Sequence, residues 1–377
     1  MNASGTSPLP VRSVVFLVSH SSAGGAQEIW ANLAEGFAER GYAVTLAALY
    51  PLRETVRESA AHLPWRYIVQ KRPSGPIGAL ALLRALVGYI RAERPAMIFT
   101  AMPAANVLAS LAARLARTGT RVVTSHHSPV ETHNPAINAI DSFAGSLSSV
   151  KAVISVSDAV AASLDSKPLS YRNRRTTIHN ALPPRIEAHI ATLAGQRSPR
   201  AARGRSVVAT GRLAKQKNYP LLLRAAAYMP DVTVTIVGNG PDEDSLRDLA
   251  AQLGVTDRVT FLGHLPREEA LSVLADGDIF AQVSLFEGHS LALVEAAKLG
   301  LPLVVSDVPV QIEGITASDG ARCGIAIGAR DAPGLAAAIC DLLDDPRKYG
   351  EMAARSATLG AEASYANMLN RYEALVL

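Results

Sequence analysis

The chain has 377 residues, of which 49% are hydrophobic and 19% charged, a composition typical of a folded globular protein and not of a disordered one. This length exceeds one ordinary hydrophobic core, so we expect two domains of about 150–200 residues each. The only cysteines are Cys323 and Cys340, which excludes a disulfide framework and a cysteine-based zinc site.

The net charge of +4 is unevenly distributed along the chain. Up to Ser198 there are 20 Lys and Arg residues against 11 Asp and Glu, whereas from Pro199 onward there are 17 against 22. A basic half beside an acidic half indicates that the first half meets an anionic partner, such as a membrane surface, a lipid phosphate or a nucleic acid. Ordinary variation in solvated arginines is the alternative.

The first half alternates apolar runs that predict strands with periodic segments that predict helices. The strand-like runs are VVFLV, AVTLAAL, AMIFT, RVVTS and KAVISVS, and the helical segments cover 26–40, 78–94, 104–117 and 158–164. VVFLV is short and runs into polar residues, so it indicates a strand and not a signal peptide. The longest apolar stretch, GALALLRALVGYI, is interrupted by Arg84 and is shorter than the roughly 20 residues of a membrane span. We therefore expect a cytoplasmic protein, at most peripheral on the inner face of the cytoplasmic membrane.

A linker and a second series of strands and helices follow. The segment Gly195–Ser206, GQRSPRAARGRS, has no apolar periodicity and is rich in Arg, Gly, Ser and Pro. The next strand-like runs are SVVAT, VTVTIVG, RVTFLG, DIFAQVS and PLVVS, and the helical segments cover 219–228, 242–253, 268–275, 291–299 and 332–343. Repeated βα units predict an α/β fold with two doubly wound, Rossmann-like domains facing across a deep cleft. We assign 1–197 to the first domain, 198–206 to the linker, 207–355 to the second domain and 356–377 to a helix that packs back on the first.

Two loops after predicted strands have residues suited to phosphate. Gly24 and Gly25 precede a helix, where backbone amides favour an anion, although an ordinary tight turn also explains the pair. Arg212 and Lys217, with Lys215 between them, follow the first strand of the second half. These cations suit a diphosphate, and a solvated basic loop is the alternative.

A third loop, in SLFEGHSLALVEAAKLGLP, places two carboxylates around a helix start. Ser290 is the expected N-cap of a helix over Leu291–Leu299, and Gly300 the residue that ends it. Glu287 precedes the helix and Glu295 lies about one turn inside it. Amides at the helix start suit phosphate oxygens, and each carboxylate suits hydroxyl donors. A nucleotide sugar supplies this pattern of hydroxyls and diphosphate.

The segments GRLAKQKNYPLLLRA, VTIVGNGPDEDSLRDLA, VTFLGHLPREE and SLFEGHSLALVEAAKLGLPLVVSD resemble the second domain of GT-B-fold retaining glycosyltransferases of family four, also called group 1. The first half resembles the same family more loosely in SAGGAQE, TSHH, VISVSDAVAASL and IHNALPP. The resemblance implies a retaining hexosyltransferase whose first domain binds the acceptor and whose second binds the nucleotide sugar. It implies transfer of a hexose or N-acetylhexosamine, with UDP as the expected nucleotide, in bacterial cell-surface glycan or glycolipid synthesis.

The resemblance also implies roles for matched residues. Arg212 and Lys217 match the pair that holds the diphosphate, Glu295 the residue that accepts from the ribose, and Glu287 the residue beside the transferred sugar. His126 matches a histidine near that sugar, with His127 in its place if the register shifts by one. The positions implied as catalytic are His126, Glu287, Arg212 and Lys217. The positions implied to bind the donor are Gly24, Gly25, Arg212, Lys217, Gly263, His264, Leu265, Glu287, Gly288, His289, Ser290, Leu291 and Glu295.

The family works without a cofactor and usually without a metal ion, since cations and the helix start stabilise the leaving phosphate. Asn180 matches a family position near the interdomain region. His289 departs from the aromatic or small residue that members often have there, which leaves the donor sugar open. A nucleotide-sugar epimerase and a non-catalytic nucleotide-sugar-binding protein are the alternatives. Nucleic acid is not an expected partner, because aromatic residues make up only 5% of the chain.

The acceptor is expected to be a saccharide or a polyprenyl- or other lipid-linked saccharide. The segment QKRPSGPIGALALLRALVGYIRAER is amphipathic and basic, which suits contact with an anionic membrane. Its basic residues are Lys71, Arg72, Arg84, Arg91 and Arg94. A packing helix with an arginine-rich outer face is the alternative.

Overall fold

The computed structural model describes residues 13–22, 24–52, 63–197 and 204–377. The chain divides into two compact units, each with its own parallel sheet and covering helices. The first unit contains the described residues up to His179 together with Ala366–Leu377, and the second contains Asn180–Tyr365. Parallel sheets covered on both faces are the expected product of repeated βα units, and the predicted α/β class is confirmed.

The first unit is built on a seven-stranded sheet with the order β3-β2-β1-β4-β5-β6-β7. The strands are β1 Ser13–His20, β2 Ala43–Tyr50, β3 Arg66–Tyr67, β4 Met97–Ala101, β5 Arg121–His126, β6 Val150–Ser155 and β7 Arg175–Thr177. The helices are α1 Gly25–Glu39, α2 Gly75–Glu93, α3 Pro103–Ala116, α4 Pro135–Ala144, α5 Asp158–Ser163 and α6 Leu169–Arg172. Strands β1 and β4 lie side by side at the centre, and β4 is buried along its whole length.

The second unit is built on a six-stranded sheet with the order β10-β9-β8-β11-β12-β13. Its strands are β8 Ser206–Thr210, β9 Thr233–Val237, β10 Val259–Gly263, β11 Ile279–Gln282, β12 Leu303–Ser306 and β13 Ile325–Ile327. Its helices are α7 Pro184–Gln196, α8 Tyr219–Ala226, α9 Glu243–Gln252, α10 Arg267–Asp276, α11 Leu291–Lys298, α12 Pro309–Gly314, α13 Ala332–Asp344 and α14 Pro346–Glu362. The strand order reverses direction between β8 and β11, as in a doubly wound sheet.

The chain leaves the first unit earlier than the composition of 198–206 suggested. Helix α7 already belongs to the second unit, because Ile186 and Ile190 are buried in the same apolar cluster as Leu271 and Leu293. Residues 198–203 of the predicted linker lie outside the described residues, and Ser206 already begins β8. The boundary between the two units therefore lies before α7, which is buried in the second unit, and not in the polar segment after α7.

The last helix, α15 at Tyr365–Glu373, enters the first unit at Ala366. Tyr372 is fully buried there, with its ring centroid 6.0 Å from that of Trp30 and 5.8 Å from that of Phe99. Arg40 forms an ion pair with Glu373. The predicted boundary at 356 instead falls inside α14, which packs on α11 in the second unit.

Helix α2 is longer than the sequence pattern suggested. It runs for 19 residues and is long and apolar enough, by length and composition alone, to cross a membrane. It buries Leu82, Leu86 and Ile90, spaced four residues apart, in the core of the first unit. These three residues form one buried stripe along α2, a feature that is typical of helices that cover the core of a globular domain.

Candidate functional site

The carboxyl ends of β8, β9 and β10 are joined by backbone hydrogen bonds in the second unit. The Gly211 amide donates to Val237 O at 2.9 Å, and the Gly238 amide donates to Gly263 O at 2.8 Å. Gly238 has a φ of +139°, and a Cβ built on it would lie 2.0 Å from Gly211 O. Only glycine permits this close approach. The loops that follow β8, β9 and β10 are therefore packed against one another at the carboxyl edge of the sheet, where doubly wound sheets bind ligands.

Lys217 and Glu287 form an ion pair beside these loops. Lys217 ends a short 3₁₀ turn, Lys215–Lys217, and its Nζ lies 2.7 Å from Glu287 Oε1. Gln216 Nε2 donates to Glu287 Oε2 at 3.2 Å and to Phe286 O at 3.0 Å. Both carboxylate oxygens therefore accept hydrogen bonds, which is what the carboxylate of a buried glutamate requires.

Gly211 leaves space for the Lys217 side chain, and Tyr219 holds the Gly211 backbone. Gly211 lies directly beneath it, because a Cβ on Gly211 would lie 2.6 Å from Lys217 Cε. Tyr219 donates its hydroxyl to Gly211 O at 3.2 Å. Burial, with the nearby charge of Glu287, raises the pKa of Tyr219, so this phenol stays protonated and remains a donor.

Helix α11 begins at the predicted cap. The Ser290 hydroxyl accepts from the Leu293 amide at 3.4 Å and donates to Gln282 Oε1 at 2.8 Å. Gln311 Nε2 in turn donates to Gln282 O at 3.0 Å. The helix ends at Lys298, and Gly300 has a φ of +68°, so the predicted capping residues at both ends are confirmed.

Glu295 forms a second ion pair, with a residue that the sequence did not single out. Arg267 Nη2, at the start of α10, lies 2.5 Å from Glu295 Oε1, and the two side chains are only 15% and 13% exposed. Burial raises the pKa of the Glu295 carboxyl, and the Arg267 charge opposes that effect. The sequence signal for Arg267 was its position two residues after Leu265, the last of the three implied donor-binding positions Gly263, His264 and Leu265.

The remaining predicted donor positions in the second unit differ in exposure. Arg212 and His264 are exposed, whereas Gly288 is buried. The backbone oxygen of His289 accepts a hydrogen bond from Asn180 Nδ2 at 3.1 Å. The structure thus brings Lys217 and Glu287 into contact, while Glu295 pairs with Arg267. The donor-binding roles of all these residues stay predictions.

In the first unit, Gly24 and Gly25 lie at the start of α1, as expected. Gly24 has a φ of 172°, extended backbone that any residue adopts, and a Cβ there would meet only the flexible end of Gln27. A Cβ on Gly25 would have no neighbour within 4 Å. The fold therefore gives no steric reason for these glycines, and ligand approach to them stays a prediction.

His126 ends β5 and is buried in a network of polar side chains. Its Nε2 lies 2.6 Å from the Tyr171 hydroxyl, which donates to Asp141 Oδ2 at 2.9 Å. Lys167 Nζ lies 3.0 Å from the same carboxylate oxygen. Burial lowers the pKa of His126 to about 4, with His133 and Lys167 adding to the effect and Asp141 opposing it. The imidazole is therefore neutral at neutral pH.

His127, which takes the implied role of His126 if the match to the family shifts by one position, has a different environment. Its Nε2 lies 3.0 Å from Ser125 Oγ, and its ring packs edge-on against Trp30 at 5.2 Å between centroids. Burial, with a smaller contribution from His126, lowers the pKa of His127 to about 3. Both histidines contribute to a cavity of about 190 Å³ whose other lining residues are Met102, Pro103, Asn106, Ser125, Ser128 and His133. Among the described residues, no group of three or more His, Cys, Asp or Glu side chains is placed to hold a metal ion.

Two family models match successive parts of the chain. The model for glycosyltransferase family 4 matches residues 23–186, and the model for glycosyl transferases group 1 matches residues 196–358. D-inositol 3-phosphate glycosyltransferase from Mycolicibacterium smegmatis is 32% identical over 213 residues, which are 53% of this chain and 46% of that protein. Glycogen synthase from Mycobacterium tuberculosis is 37% identical over 117 residues, 31% of this chain and 28% of that protein. The match thus spans less than half the length of each of these relatives.

Solved structures of glycosyltransferases share the fold over almost the whole chain. The Anabaena protein HepE, solved in complex with UDP and glucose, has a TM-score of 0.77 at 20% identity and covers 96% of this chain and 98% of its own. Sucrose-phosphate synthase from Thermosynechococcus elongatus has a TM-score of 0.75 at 18% identity, with 97% and 98% covered. From the two matched models and this shared fold, the chain belongs to the GT-B-fold glycosyltransferases of family four.

Proposed function

We propose that this protein is a retaining glycosyltransferase that moves a hexose or N-acetylhexosamine from a UDP-sugar to a hydroxyl of a saccharide or lipid-linked acceptor. The observation that carries the proposal is the contact between Lys217 and Glu287 at the carboxyl edge of the second sheet. A cation and a carboxylate held side by side suit a substrate in which a diphosphate adjoins a hydroxyl-bearing ring.

Lys217 can hold its carboxylate and a phosphate at once. An ammonium group has three N–H donors, and only one is required by the contact with Glu287 Oε1 at 2.7 Å. Charge that develops on the leaving phosphate would be stabilised by the remaining donors, by Arg212 and by the amides at the start of α11. In this scheme Glu295 accepts hydrogen bonds from the ribose hydroxyls of the donor.

Glu287 acts in this proposal by charge and hydrogen bonding, and not as a nucleophile. Its oxygens accept from Lys217 and Gln216, and these bonds draw electron density away from the carboxylate. The acceptor hydroxyl then attacks the face from which the diphosphate departs, through an oxocarbenium-like transition state. A departing phosphate oxygen takes the proton of the hydroxyl. Double displacement through Glu287 is the rival route.

A UDP-sugar is proposed as the donor for two reasons. HepE has the same fold and was solved with UDP and with UDP-glucose. In addition, a Cβ built on Gly263 at the carboxyl end of β10 would meet nothing within 4 Å, so the backbone there is open to a ligand where the nucleotide is expected. No cofactor or metal ion is assigned a step.

We propose a lipid-linked acceptor at an anionic membrane surface from the character of α2 and the segment before it. Lys71 and Arg72 are exposed, and Ile77 and Leu80 near the start of α2 are 85% and 49% exposed. Cations beside exposed apolar side chains are the combination that binds an anionic interface. Arg91 does not contribute, because its Nη2 donates to Leu115 O at 3.2 Å.

The experiment is a panel of UDP- and GDP-sugars assayed for donor hydrolysis, followed by mass spectrometry of products made with lipid-linked acceptors. Transfer from a UDP-sugar with retained anomeric configuration, read by proton NMR, supports the proposal. An inverted product overturns retention. Interconversion of the donor sugar without transfer indicates an epimerase, and donor binding without turnover indicates a binding protein.

A further inference from the structure

A chain of hydrogen bonds runs from a buried ion pair to His126. Lys167 Nζ and the Tyr171 hydroxyl both contact Asp141 Oδ2, at 3.0 and 2.9 Å, and the same hydroxyl contacts His126 Nε2 at 2.6 Å. These side chains come from α4, α6, the end of β5 and the loop before α6. All are at most 4% exposed, so water does not compete for the bonds.

The proton positions follow from the donor and acceptor capacity of each group. Lys167 also donates to Asn138 O at 2.9 Å and contacts Ser142 Oγ at 3.1 Å, so its ammonium is anchored and balances a charged carboxylate. An ionised carboxylate only accepts, and Tyr171 has a single hydroxyl proton, which must therefore go to Asp141. The Tyr171 oxygen is then left as an acceptor toward His126. The short contact requires a proton on His126 Nε2.

The other ring nitrogen of His126 has no partner among the described residues. Nδ1 is buried and makes no hydrogen bond, while the ring lines the cavity of about 190 Å³. A buried polar atom without a partner is costly and is rare in native structures. Because Nε2 is occupied by Tyr171, Nδ1 is the ring nitrogen left without a partner beside this cavity.

We propose that Lys167, Asp141 and Tyr171 are positioning residues that hold His126 in the neutral Nε2–H form, with the lone pair of Nδ1 offered as a hydrogen-bond acceptor. The inference rests on the proposed function in one respect, that the ligand is the transferred sugar. A hydroxyl donates to such a lone pair, whereas a carbonyl, carboxylate or phosphate oxygen is repelled by it. The network thus selects a hydroxyl at this position of the ligand.

The tautomer of His126 can be read directly by ¹⁵N NMR on the full chain labelled in its histidines. The His126 signals are assigned by their loss in His126→Gln. We expect a pyrrole-type shift for Nε2 and a pyridine-type shift for Nδ1 at neutral pH. A proton on Nδ1 in the wild-type protein overturns the proposal, and this readout needs neither donor nor acceptor. The result for the tautomer is therefore independent of the transferase activity.

Two tyrosine variants test the positioning role. Tyr171→Phe removes only the hydroxyl, so we expect the two His126 nitrogen shifts to move toward each other as the tautomers mix. Tyr349→Phe is the matched control, because it removes a buried hydroxyl that donates to Asp278 O at 2.9 Å in the other unit. Unchanged His126 shifts in folded Tyr171→Phe overturn the role of Tyr171. If that variant does not fold, the wild-type spectrum still decides the tautomer.

Kinetics then connect the network to the ligand. In Tyr171→Phe we expect kcat/KM for the donor to fall roughly tenfold, the loss typical of one buried hydrogen bond, while Tyr349→Phe stays near wild type. A mixed tautomer with unchanged kcat/KM overturns the link to the sugar. Absence of any transferase activity in the wild-type protein defeats the proposed function but leaves the tautomer result intact.

Discussion

The ammonium nitrogen of Lys217 lies 2.7 Å from Oε1 of Glu287, although the two residues are 70 positions apart in the chain. Their side chains are only 15% and 10% exposed. A pair this buried is stable only while both members are present, because removal of one leaves an uncompensated charge. The pair therefore contributes to local stability, and variants of either residue need a folding control.

Lys217→Ala is expected to lower the turnover of the donor by roughly tenfold or more, because it removes the cation proposed to stabilise the leaving phosphate. The measurement is steady-state release of UDP at saturating donor. Lys215→Ala is the matched control, since Lys215 lies in the same turn but is exposed, and we expect it to keep most of the activity. Near-normal turnover in folded Lys217→Ala would remove Lys217 from the donor site.

Glu295→Ala is expected to lower turnover by roughly tenfold or more, because the variant loses the acceptor proposed for the ribose hydroxyls. It also leaves Arg267 without its carboxylate partner. Arg267→Met tests whether that arginine only orients Glu295, in which case the donor KM rises while kcat changes little. The contrary result is a Glu295→Ala enzyme with unchanged kcat and KM, which would place the ribose elsewhere.

The buried histidines predict loss of stability in acid. The pKa of His126 is lowered to about 4 and that of His127 to about 3, so between pH 6.5 and about 4 the unfolded chain binds more protons than the folded protein. The free energy of unfolding should then fall as the pH falls through this window. The slope is up to about 1.4 kcal/mol per pH unit for each ring.

Urea denaturation at a series of pH values checks this dependence. His126→Gln should show a shallower decline between pH 6.5 and 4 than the wild-type protein. Gly350→Ala, in α14 of the second unit, should keep the wild-type slope. Equal slopes for His126→Gln and the wild type would show that His126 titrates alike in the folded and unfolded states.

Gly238→Ala is expected to destabilise the second unit by about 1–3 kcal/mol and to impair donor binding, because the new methyl group collides with Gly211 O and the φ of +139° strains an L-residue. Gly350→Ala is the matched control. A Cβ there meets nothing within 4 Å inside a helix, so it should stabilise by up to about 1 kcal/mol. Thermal unfolding measures both changes, and an unaffected Gly238→Ala would show that the loops can separate without loss.

Most regular elements could be predicted from the sequence, because their apolar residues recur with a clear period. The prediction for α11 ended within one residue of the observed helix, since Ser290 and Gly300 are strong capping signals. The pattern missed α4, α6, α7, α12 and the first part of α14. Helix α14, PRKYGEMAARSATLGAE, buries Tyr349, Ser356 and Gly360 and not a series of large apolar residues, and it packs against α11. The strand β3 has only two residues and gives no periodic signal.

The candidate site was predicted in part. The motifs pointed to Lys217 and Glu287, but not to their direct contact or to the role of Gln216, because residue spacing does not report side-chain contacts between loops. Arg267 was missed for the same reason. It is one charged residue in an ordinary helix start, and its partner Glu295 lies 28 positions away.

The sequence by itself determined the parallel α/β class, the caps of α11 and the set of candidate loops, since these depend on local periodicity and on the conformations that glycine, proline and serine permit. Only the tertiary structure decided which charges are paired. The contacts from Lys167 through Asp141 and Tyr171 to His126 join residues 26 to 45 positions apart. Such contacts arise when packing removes water around groups that local sequence leaves unrelated, and burial then fixes their protonation.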